Sequence, residues 1–347
     1  MYTCSKCNKL FGQKGHYDKH NARITPCVKN TIAVSTAVEK PFLKWVGGKT
    51  QIIDKVIGLF PKVMTNYHEP FLGGGSVLLA LLSAVKAGTI KVNGLVYASD
   101  LNSNLIRLYK NVQSKVDELI NAVKKLTDEF NAVNGSTINR KPANYAEAQT
   151  SPESYYFWIR GRFNALSKED RGSVLGSAMF LFMNKTCFRG LYREGPNGFN
   201  VPFGNYKNPS IIDREHILAV SDLIKDVVFV EQGFAESLGK VSNGDFVYLD
   251  PPYAPVDSGS FVSYTADGFG LEAHKGLFKL IDGLREKNVS MVLSNANVPM
   301  VIEAFPTSKY SVKVISCRRA INSLEPGSKT EEVLVSNETG TSNGLSA

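Results

Sequence analysis

The chain has 347 residues, 43% of them hydrophobic, which is enough for one large domain with a buried core and a smaller second domain. Its 40 Lys and Arg exceed its 32 Asp and Glu, and the net charge of +8 favours a polyanionic partner such as nucleic acid. No apolar run approaches the ~20 residues that cross a bilayer, and the N-terminus lacks a signal-peptide core. These features exclude a membrane span and predict a soluble, intracellular protein of the cytoplasm, nucleoid or nucleus.

The first 30 residues form a basic segment with metal-binding spacing. Cys4, Cys7 and His20 have the spacing of a ββα zinc finger, in which a hairpin and one helix bring tetrahedral ligands together. Cys27 is the favoured fourth ligand, although it follows His20 at a longer interval than usual, and His16 is the alternative. The aromatic residues of that motif's small core are also present: Tyr2, Phe11 and Tyr17. A segment this short buries too little surface to fold alone, so structural zinc is expected to stabilise it.

Residues 31–40 contain no aromatic residue and no apolar period, and they predict a linker. From Pro41 onward, strands and helices alternate, which predicts an α/β fold with a mostly parallel sheet and a ligand site at the carboxyl ends of the strands. The predicted strands are 66–71, 95–99, 227–231, 246–249, 290–294 and 310–315. The main predicted helices are 76–87, 102–129 and one around Leu277.

The segment 132–226 interrupts this alternation. It is rich in aromatic residues, Arg and Asn, contains a long loop from 184 to 210 and offers no clear strand, so a helical insertion is expected. The insertion would divide the α/β domain into 41–131 and 227–335. Residues 336–347 are polar and predict a disordered tail.

A glycine cluster follows the first predicted strand. In residues 71–76 (FLGGGS) the glycines allow the backbone to approach a ligand closely, and Asp100 at the end of the next strand is placed to hold ribose hydroxyls. The spacing is not that of a dinucleotide fingerprint. By itself the cluster fits a tight turn without any ligand equally well.

The sequence Asp250-Pro251-Pro252-Tyr253 follows an apolar strand and is more specific. Two prolines stiffen the backbone and leave its carbonyls free to point outward as acceptors. An amino group on a planar base needs two acceptors, which the Asp250 carboxylate and the Pro251 carbonyl would supply. Tyr253 would stack on the base after it leaves the double helix.

Together these motifs resemble the Dam family of DNA adenine methyltransferases, the D12 class, over about 41–335. Residues 42–49 (FLKWVGGK), 69–76 (EPFLGGGS), the insertion and the DPPY sequence occur in the family's order. The resemblance implies a Rossmann-like methyltransferase fold with a helical target-recognition insertion. It also implies S-adenosylmethionine as the cofactor and adenine N6, flipped out of double-stranded DNA, as the methyl acceptor.

The same resemblance assigns roles to residues around the cofactor. Asp100 is expected at the ribose, Phe234 near the cofactor adenine, and Gly74 stands where the family often has alanine. The catalytic residues implied are Asp250, Pro251, Pro252 and Tyr253. The cofactor-binding residues implied are Trp45, Lys49, Glu69, Phe71, Gly73, Gly75, Asp100, Phe234 and Asp250.

The loop 184–206 resembles the family's target-recognition hairpin and suggests GATC as the recognised sequence. Arg193 matches an arginine that reads guanine through paired contacts to O6 and N7, and Lys44 matches a lysine at the first guanine. Leu191 and Pro202 match apolar contacts to the other bases, and Phe188 matches an aromatic wedge where the adenine leaves the stack. Arg189, in the same loop, fits a phosphate contact better.

Two other interpretations remain open at this stage: a zinc-finger DNA-binding regulator with an inactive methyltransferase body, and an RNA adenine methyltransferase. A restriction endonuclease of the same specificity is a partner compatible with the family, but the sequence decides neither this partner nor the oligomeric state. Tyr264 either closes over the flipped base or packs in the core. Three histidines without partner spacing are expected to be structural or surface residues: His68, His216 and His274.

Overall fold

The computed structural model describes residues 2–4, 10–22, 39–255, 269–318 and 329–337. Cys7, Cys27 and Tyr264 lie outside the described residues. The chain divides into two compact units, Met1–Ala37 and Val38–Ala347. Nowhere in the described ranges is a helix both long and apolar enough to pass through a membrane.

The first unit has the predicted ββα order. Strand β1 (Tyr2–Thr3) pairs antiparallel with β2 (Leu10–Phe11), and helix α1 (Lys14–Asn21) follows. The Phe11 ring lies 4.8 Å from the His20 ring, and the side chains of Cys4 and His20 are both buried. Two of the four predicted zinc ligands therefore lie in the interior of this small unit.

The second unit alternates strands and helices. Its strands are β3 (Val63–Met64), β4 (Tyr67–Glu69), β5 (Lys91–Val92), β6 (Val96–Asp100), β7 (Glu194–Gly195), β8 (Gly198–Phe199), β9 (Val227–Glu231), β10 (Phe246–Leu249), β11 (Ser290–Ala296), β12 (Ser311–Arg318) and β13 (Lys329–Ser336). Its helices are α2 (Ile53–Ile57), α3 (Ser76–Lys86), α4 (Ser103–Ser114), α5 (Val116–Asn131), α6 (Tyr145–Ala148), α7 (Pro152–Ala165), α8 (Val174–Thr186), α9 (Arg214–Leu223), α10 (Phe234–Gly239), α11 (Leu271–Glu286) and α12 (Pro299–Ala304).

Among the described residues, seven strands form the main sheet in the order β12-β13-β11-β10-β4-β6-β9. The five strands from β11 to β9 are parallel, and β13 is antiparallel to both of its neighbours. The predicted Rossmann-like α/β fold is confirmed. The strand order reverses between β4 and β10, so the loops that follow these two strands diverge and leave a crevice between them.

The apolar core lies on both faces of this sheet. One face packs under α3, α4 and the helices of the 132–226 insertion, and the other packs under α10, α11 and α12. Within the described part of the insertion, the only strands are the short hairpin β7–β8, which is separate from the main sheet. Helix α8 is apolar on nearly every side because it is buried between α5 and α7.

Two elements differ from the predicted ones. The helix predicted over 102–129 is broken at Lys115, whose φ of −138° and ψ of 39° are not helical, so α4 and α5 can pack in different directions. Strand β13 was not predicted because its first half is polar, and it enters the sheet between β11 and β12. It extends through Ser336, and the Asn337 side chain donates to the Val289 carbonyl, so the described structure includes the first two residues of the predicted tail.

Substitution of Gly75 tests why the loop has glycine at this position. Gly75 is left-handed, with φ of 69°, and a Cβ at this position would overlap the hydroxyl of the buried Tyr109. Gly88, with φ of 72°, has open space at the same position and is the matched control. We expect Gly88→Ala to lower the free energy of unfolding by about 1 kcal/mol through backbone strain alone. Gly75→Ala should cost about 2–4 kcal/mol in urea unfolding because overlap adds to strain; equal losses would contradict this explanation.

Candidate active site

The glycine loop after β4 is fastened to the end of β6. The Leu72 amide donates to the Ser99 carbonyl at 2.9 Å, and the Gly73 amide donates to Asp100 Oδ2 at 3.0 Å. The other Asp100 oxygen accepts from the Asn102 amide at 2.9 Å. Burial raises the pKa of Asp100, and these backbone donors oppose the increase. The carboxylate is therefore held at the carboxyl edge of the sheet, beside the glycines.

Trp45 packs against the same loop from the segment that precedes the sheet. A Cβ at Gly74 would lie 2.8 Å from Trp45 Cβ, so the glycine found here, where the family often has alanine, allows this close contact. The indole stacks on Tyr192 with ring centroids 5.8 Å apart. Trp45 thus joins the glycine loop to the predicted target-recognition loop.

Lys49 and Asp250 form an ion pair in the crevice. Lys49 Nζ lies 2.7 Å from Asp250 Oδ2 and also donates to the Gly47 carbonyl at 2.5 Å. The lysine side chain is only 4% exposed and the aspartate 19%. Burial raises the pKa of Asp250, and the ion pair with Lys49 opposes the increase. No described residue donates to Asp250 Oδ1, which is free to accept another donor.

The loop after β10 is hydrogen-bonded at three further polar atoms. The Pro252 carbonyl lies 3.1 Å from His274 Nε2, the Tyr253 hydroxyl donates to Glu332 at 2.8 Å, and the Ala254 amide donates to Asn295 at 3.0 Å. Within the described residues nothing donates to the Pro251 carbonyl. No sequence motif marks His274, Asn295 or Glu332, because they reach the loop from α11, β11 and β13.

Glu69 is a buried carboxyl at the end of β4. It is 2% exposed and accepts from the Tyr67 hydroxyl at 2.7 Å. Burial, helped by the nearby charge of Asp250, raises its pKa to about 8, although the Tyr67 hydrogen bond and Lys49 oppose the increase. The Glu69 carboxyl group is therefore mostly protonated at neutral pH, and a cation beside it would favour the ionised form.

Three aromatic rings from different elements form one cluster at this edge. Phe71 follows β4, Phe234 begins α10, and their rings stack with centroids 5.6 Å apart. Phe269, just before α11, contacts both rings at 5.9 and 5.7 Å. The structure brings the two predicted aromatics together and adds Phe269, which lies outside any motif.

The predicted DNA-contacting residues also lie together, around the loop 184–206. The Phe188 amide donates to the Pro202 carbonyl at 2.8 Å, and the Phe188 side chain is 43% exposed. Lys44 Nζ donates to the Lys185 carbonyl at 3.2 Å and lies 4.0 Å from the centre of the Tyr206 ring.

Arg193 and Leu191 occupy the same loop. The exposed Arg193 donates from Nε to Asn200 Oδ1 at 2.6 Å, which holds the guanidinium across the hairpin β7–β8. Leu191 packs at the margin of the core. Arg193 Nη2 also donates to the Asn200 carbonyl at 3.4 Å, so Asn200 holds the guanidinium of an exposed side chain at two points.

No three His, Cys, Asp or Glu side chains form a metal-binding group within the part of the chain that the structure describes. Cys7 and Cys27, two of the four predicted zinc ligands, lie outside that part. Cys4 Sγ lies 3.6 Å from Asn21 Oδ1. The four predicted ligands are therefore not observed together as a set.

The fold and this crevice are typical of α/β enzymes, and comparison with known proteins identifies the family. Residues 45–321 match the D12 class N6 adenine-specific DNA methyltransferases. The Type II methyltransferase M.MjaIII of Methanocaldococcus jannaschii is 35% identical over 82% of this chain and 93% of its own length. The DNA adenine methylase of Escherichia coli K12 is 30% identical over 82% and 90% of the two chains.

The chain therefore belongs to the D12 class and is an adenine-specific DNA methyltransferase. Membership implies S-adenosylmethionine as the methyl donor, as the sequence motifs predicted. The family match favours this assignment over an inert regulator or an RNA methyltransferase.

The raised pKa of Glu69 predicts a pH-dependent stability. The ordinary carboxyl pKa is 4.5 and the folded value is about 8, so between them the folded protein retains a proton that the unfolded chain releases. Stability is therefore lost as the pH rises through this window. We expect the unfolding free energy of the wild type, relative to Glu69→Gln, to fall by about 1 kcal/mol per unit from about pH 5 to about pH 8.

Urea unfolding at several pH values measures this difference, and Gln at position 69 keeps an acceptor for Tyr67. Glu118→Gln, at an exposed position of α5, is the matched control for loss of one carboxylate. A difference between wild type and Glu69→Gln that does not change with pH would contradict the raised pKa.

Proposed function

We propose that this enzyme methylates N6 of adenine within GATC in double-stranded DNA, on a base flipped into the crevice between the loops that follow β4 and β10. One observation carries the proposal. Asp250 Oδ1 and the Pro251 carbonyl, on consecutive residues of the catalytic loop (residues 250–254), accept a hydrogen bond from no described residue, while the Pro252 carbonyl, the Tyr253 hydroxyl and the Ala254 amide are bonded. Two adjacent free acceptors match the two hydrogens of an exocyclic amino group.

Methyl transfer depends mainly on correct placement of the methyl donor and the adenine amino group. S-adenosylmethionine supplies an activated methyl group when it is bound, so catalysis depends on alignment and electrostatics rather than on a strong base. The lone pair of the adenine amino group is conjugated into the ring, and hydrogen bonds to Asp250 and Pro251 favour the pyramidal nitrogen that can attack. Lys49 favours the ionised form of the buried Asp250, which would accept a hydrogen bond from the amino group. The proton that the amino nitrogen loses after methyl transfer would pass to solvent.

The cofactor fits the groups gathered in the crevice. Glu69 would hold the methionyl ammonium, because a buried carboxyl with a raised pKa becomes ionised when a cation lies beside it. Asp100 would hold the ribose hydroxyls. Phe71 and Phe234 provide flat apolar surfaces for the adenine ring. The remaining residues proposed to line the site are Trp45, Lys49, Gly73 and Gly75.

We assign recognition of the DNA sequence to the loop 184–206 together with Lys44. Arg193, exposed and braced by Asn200, is suited to paired hydrogen bonds with guanine O6 and N7. The exposed Phe188 ring would fill the space that the flipped adenine leaves. Leu191 and Pro202 would contact the remaining bases, and Lys44 the first guanine.

We also propose that the first unit binds one structural zinc ion through Cys4, Cys7, His20 and Cys27. The ββα order and the buried Cys4 and His20 side chains support this ligand set. We expect purified protein to contain one equivalent of zinc by elemental analysis, and Cys4→Ser to lose it while methyl transfer to short DNA duplexes persists. Metal-free wild-type protein with an intact first unit would refute the zinc site.

Mapping of the modified base tests the main proposal. Duplex DNA treated with enzyme and cofactor is expected to carry N6-methyladenine only within GATC, and Asp250→Ala should lower the rate by at least about 100-fold because one of two acceptors is lost. Detection by digestion and mass spectrometry, with sequencing of the flanking bases, measures both. A different modified base, or a different flanking sequence, would overturn the corresponding part of the proposal.

Arg193→Ala tests the assignment of base reading. We expect discrimination against a changed guanine to fall by about 10- to 100-fold, because paired contacts to one base are lost. Arg189→Ala is the matched control in the same loop, and it should weaken binding of all sequences alike. Competition between GATC duplexes and singly substituted duplexes gives both values; unchanged discrimination in Arg193→Ala would exclude it as a base reader.

A further inference from the structure

Side chains of other elements form hydrogen bonds with the catalytic loop. Its two consecutive prolines provide no backbone N–H groups, so the loop cannot be fixed by ladder hydrogen bonds. His274 of α11 contacts its middle, and Asn295 of β11 contacts its end. Asn295 Oδ1 accepts from both the Ala254 and the Ala296 amides, at 3.0 and 2.8 Å, and this fixes the orientation of its amide group.

His274 is completely buried, and both of its ring nitrogens face backbone carbonyls. Nδ1 lies 3.0 Å from the Gly270 oxygen and Nε2 lies 3.1 Å from the Pro252 oxygen. The Phe269 ring packs edge-on at 4.6 Å and Phe278 at 6.0 Å, so the imidazole has little freedom to turn. A neutral imidazole carries one N–H and donates to only one of these carbonyls. The Gly270 oxygen already accepts from the His274 amide at 3.1 Å, so we assign the ring N–H to Nε2, which donates to the Pro252 carbonyl of the catalytic loop.

The contact at Pro252 bears directly on the neighbouring carbonyl of Pro251. The ring of Pro252 locks its φ, so one free torsion separates the peptide plane that His274 holds from the plane that carries the Pro251 carbonyl. A donor that fixes the first plane consequently restricts the direction of the second. The Pro251 carbonyl is one of the two acceptors proposed for the adenine amino group.

We propose that His274 is a positioning residue for methyl transfer: by donating from Nε2 to the Pro252 carbonyl, it aims the Pro251 carbonyl at the amino group of the flipped adenine. The inference rests on the proposed role of Pro251. Asn295 acts in the same direction at the other end of the loop. Neither side chain touches the reacting atoms, and both act through the catalytic loop.

Two amide substitutions separate the two contacts of His274. The amide nitrogen of Asn occupies the place of Nδ1, so His274→Asn keeps the Gly270 contact and loses the Pro252 contact. The longer His274→Gln places its amide at Nε2 and keeps the Pro252 contact instead. Both variants are polar and uncharged, and the Asn side chain is shorter than that of Gln by one methylene group. If His274 only stabilises the start of α11, the Asn variant keeps that role. If His274 positions the catalytic loop, the Gln variant keeps that role.

The experiment measures single-turnover methylation of a GATC duplex with saturating cofactor. We expect His274→Gln to remain within about 3-fold of the wild-type rate and His274→Asn to be about 10- to 100-fold slower, because a small misplacement of an acceptor is costly. Dissociation constants for DNA and for the cofactor should change less than about 2-fold in both variants. The same two substitutions at His216, a half-buried histidine of α9, are the matched controls and should leave the rate unchanged.

Equal rates in the two His274 variants, or a faster Asn variant, would overturn the positioning role. If the Asn variant does not fold, His274→Met, which lacks a donor and is close to Gln in size, replaces it in the comparison with the same expectation. The wild-type reaction in the same assay distinguishes a failure of the proposed function from a failure of the positioning role. A wild type that produces no N6-methyladenine in GATC contradicts the proposed function, whereas an active wild type with indistinguishable variants contradicts only the role of His274.

Discussion

The parallel pairing of β10 with β4, at the point where strand order reverses, is the constraint on which the site depends. The backbone pairing of Phe246 with Tyr67 places the two strands side by side, yet their following loops turn to opposite faces of the sheet. Glu69 and the glycine loop therefore lie on one side of a crevice and Asp250 on the other. A site that needs a cofactor beside a second substrate is thus formed by backbone topology before any side chain is considered.

The crevice contains several buried acidic side chains, and each has a different kind of partner. Three buried acids, Glu69, Asp100 and Asp250, lie at the ends of β4, β6 and β10. Lys49 pairs with only one of them, backbone amides hold the second, and a tyrosine hydroxyl contacts the third. Burial raises the pKa of each carboxyl, which leaves the crevice prepared for a cationic ligand. The surrounding aromatic rings and glycines provide apolar surface and space rather than charge.

The segment that precedes the sheet connects the cofactor side to the DNA side. Trp45 touches the glycine loop and stacks on Tyr192 of the target loop, and Lys44 bonds to the backbone at Lys185. Asn184 reinforces this link by bonding to both the amide and the carbonyl of Lys44. The crevice and the loop 184–206 are therefore connected through the contacts of Lys44 and Trp45.

Sequence alone determined the α/β alternation, the glycine loop, the acid after β6 and the Asp250–Tyr253 loop, because each is a local pattern that period and turn chemistry make readable. It could not indicate that Lys49 pairs with Asp250, since 201 positions separate them. It also missed β13, and the absence of partner spacing around His274 did not reveal its contact with Pro252. Glu332, Asn295 and His274 reach the catalytic loop only after β13, β11 and α11 have packed. Which polar atoms of the loop remain free was therefore decided by the tertiary structure, because burial and long-range contacts select them.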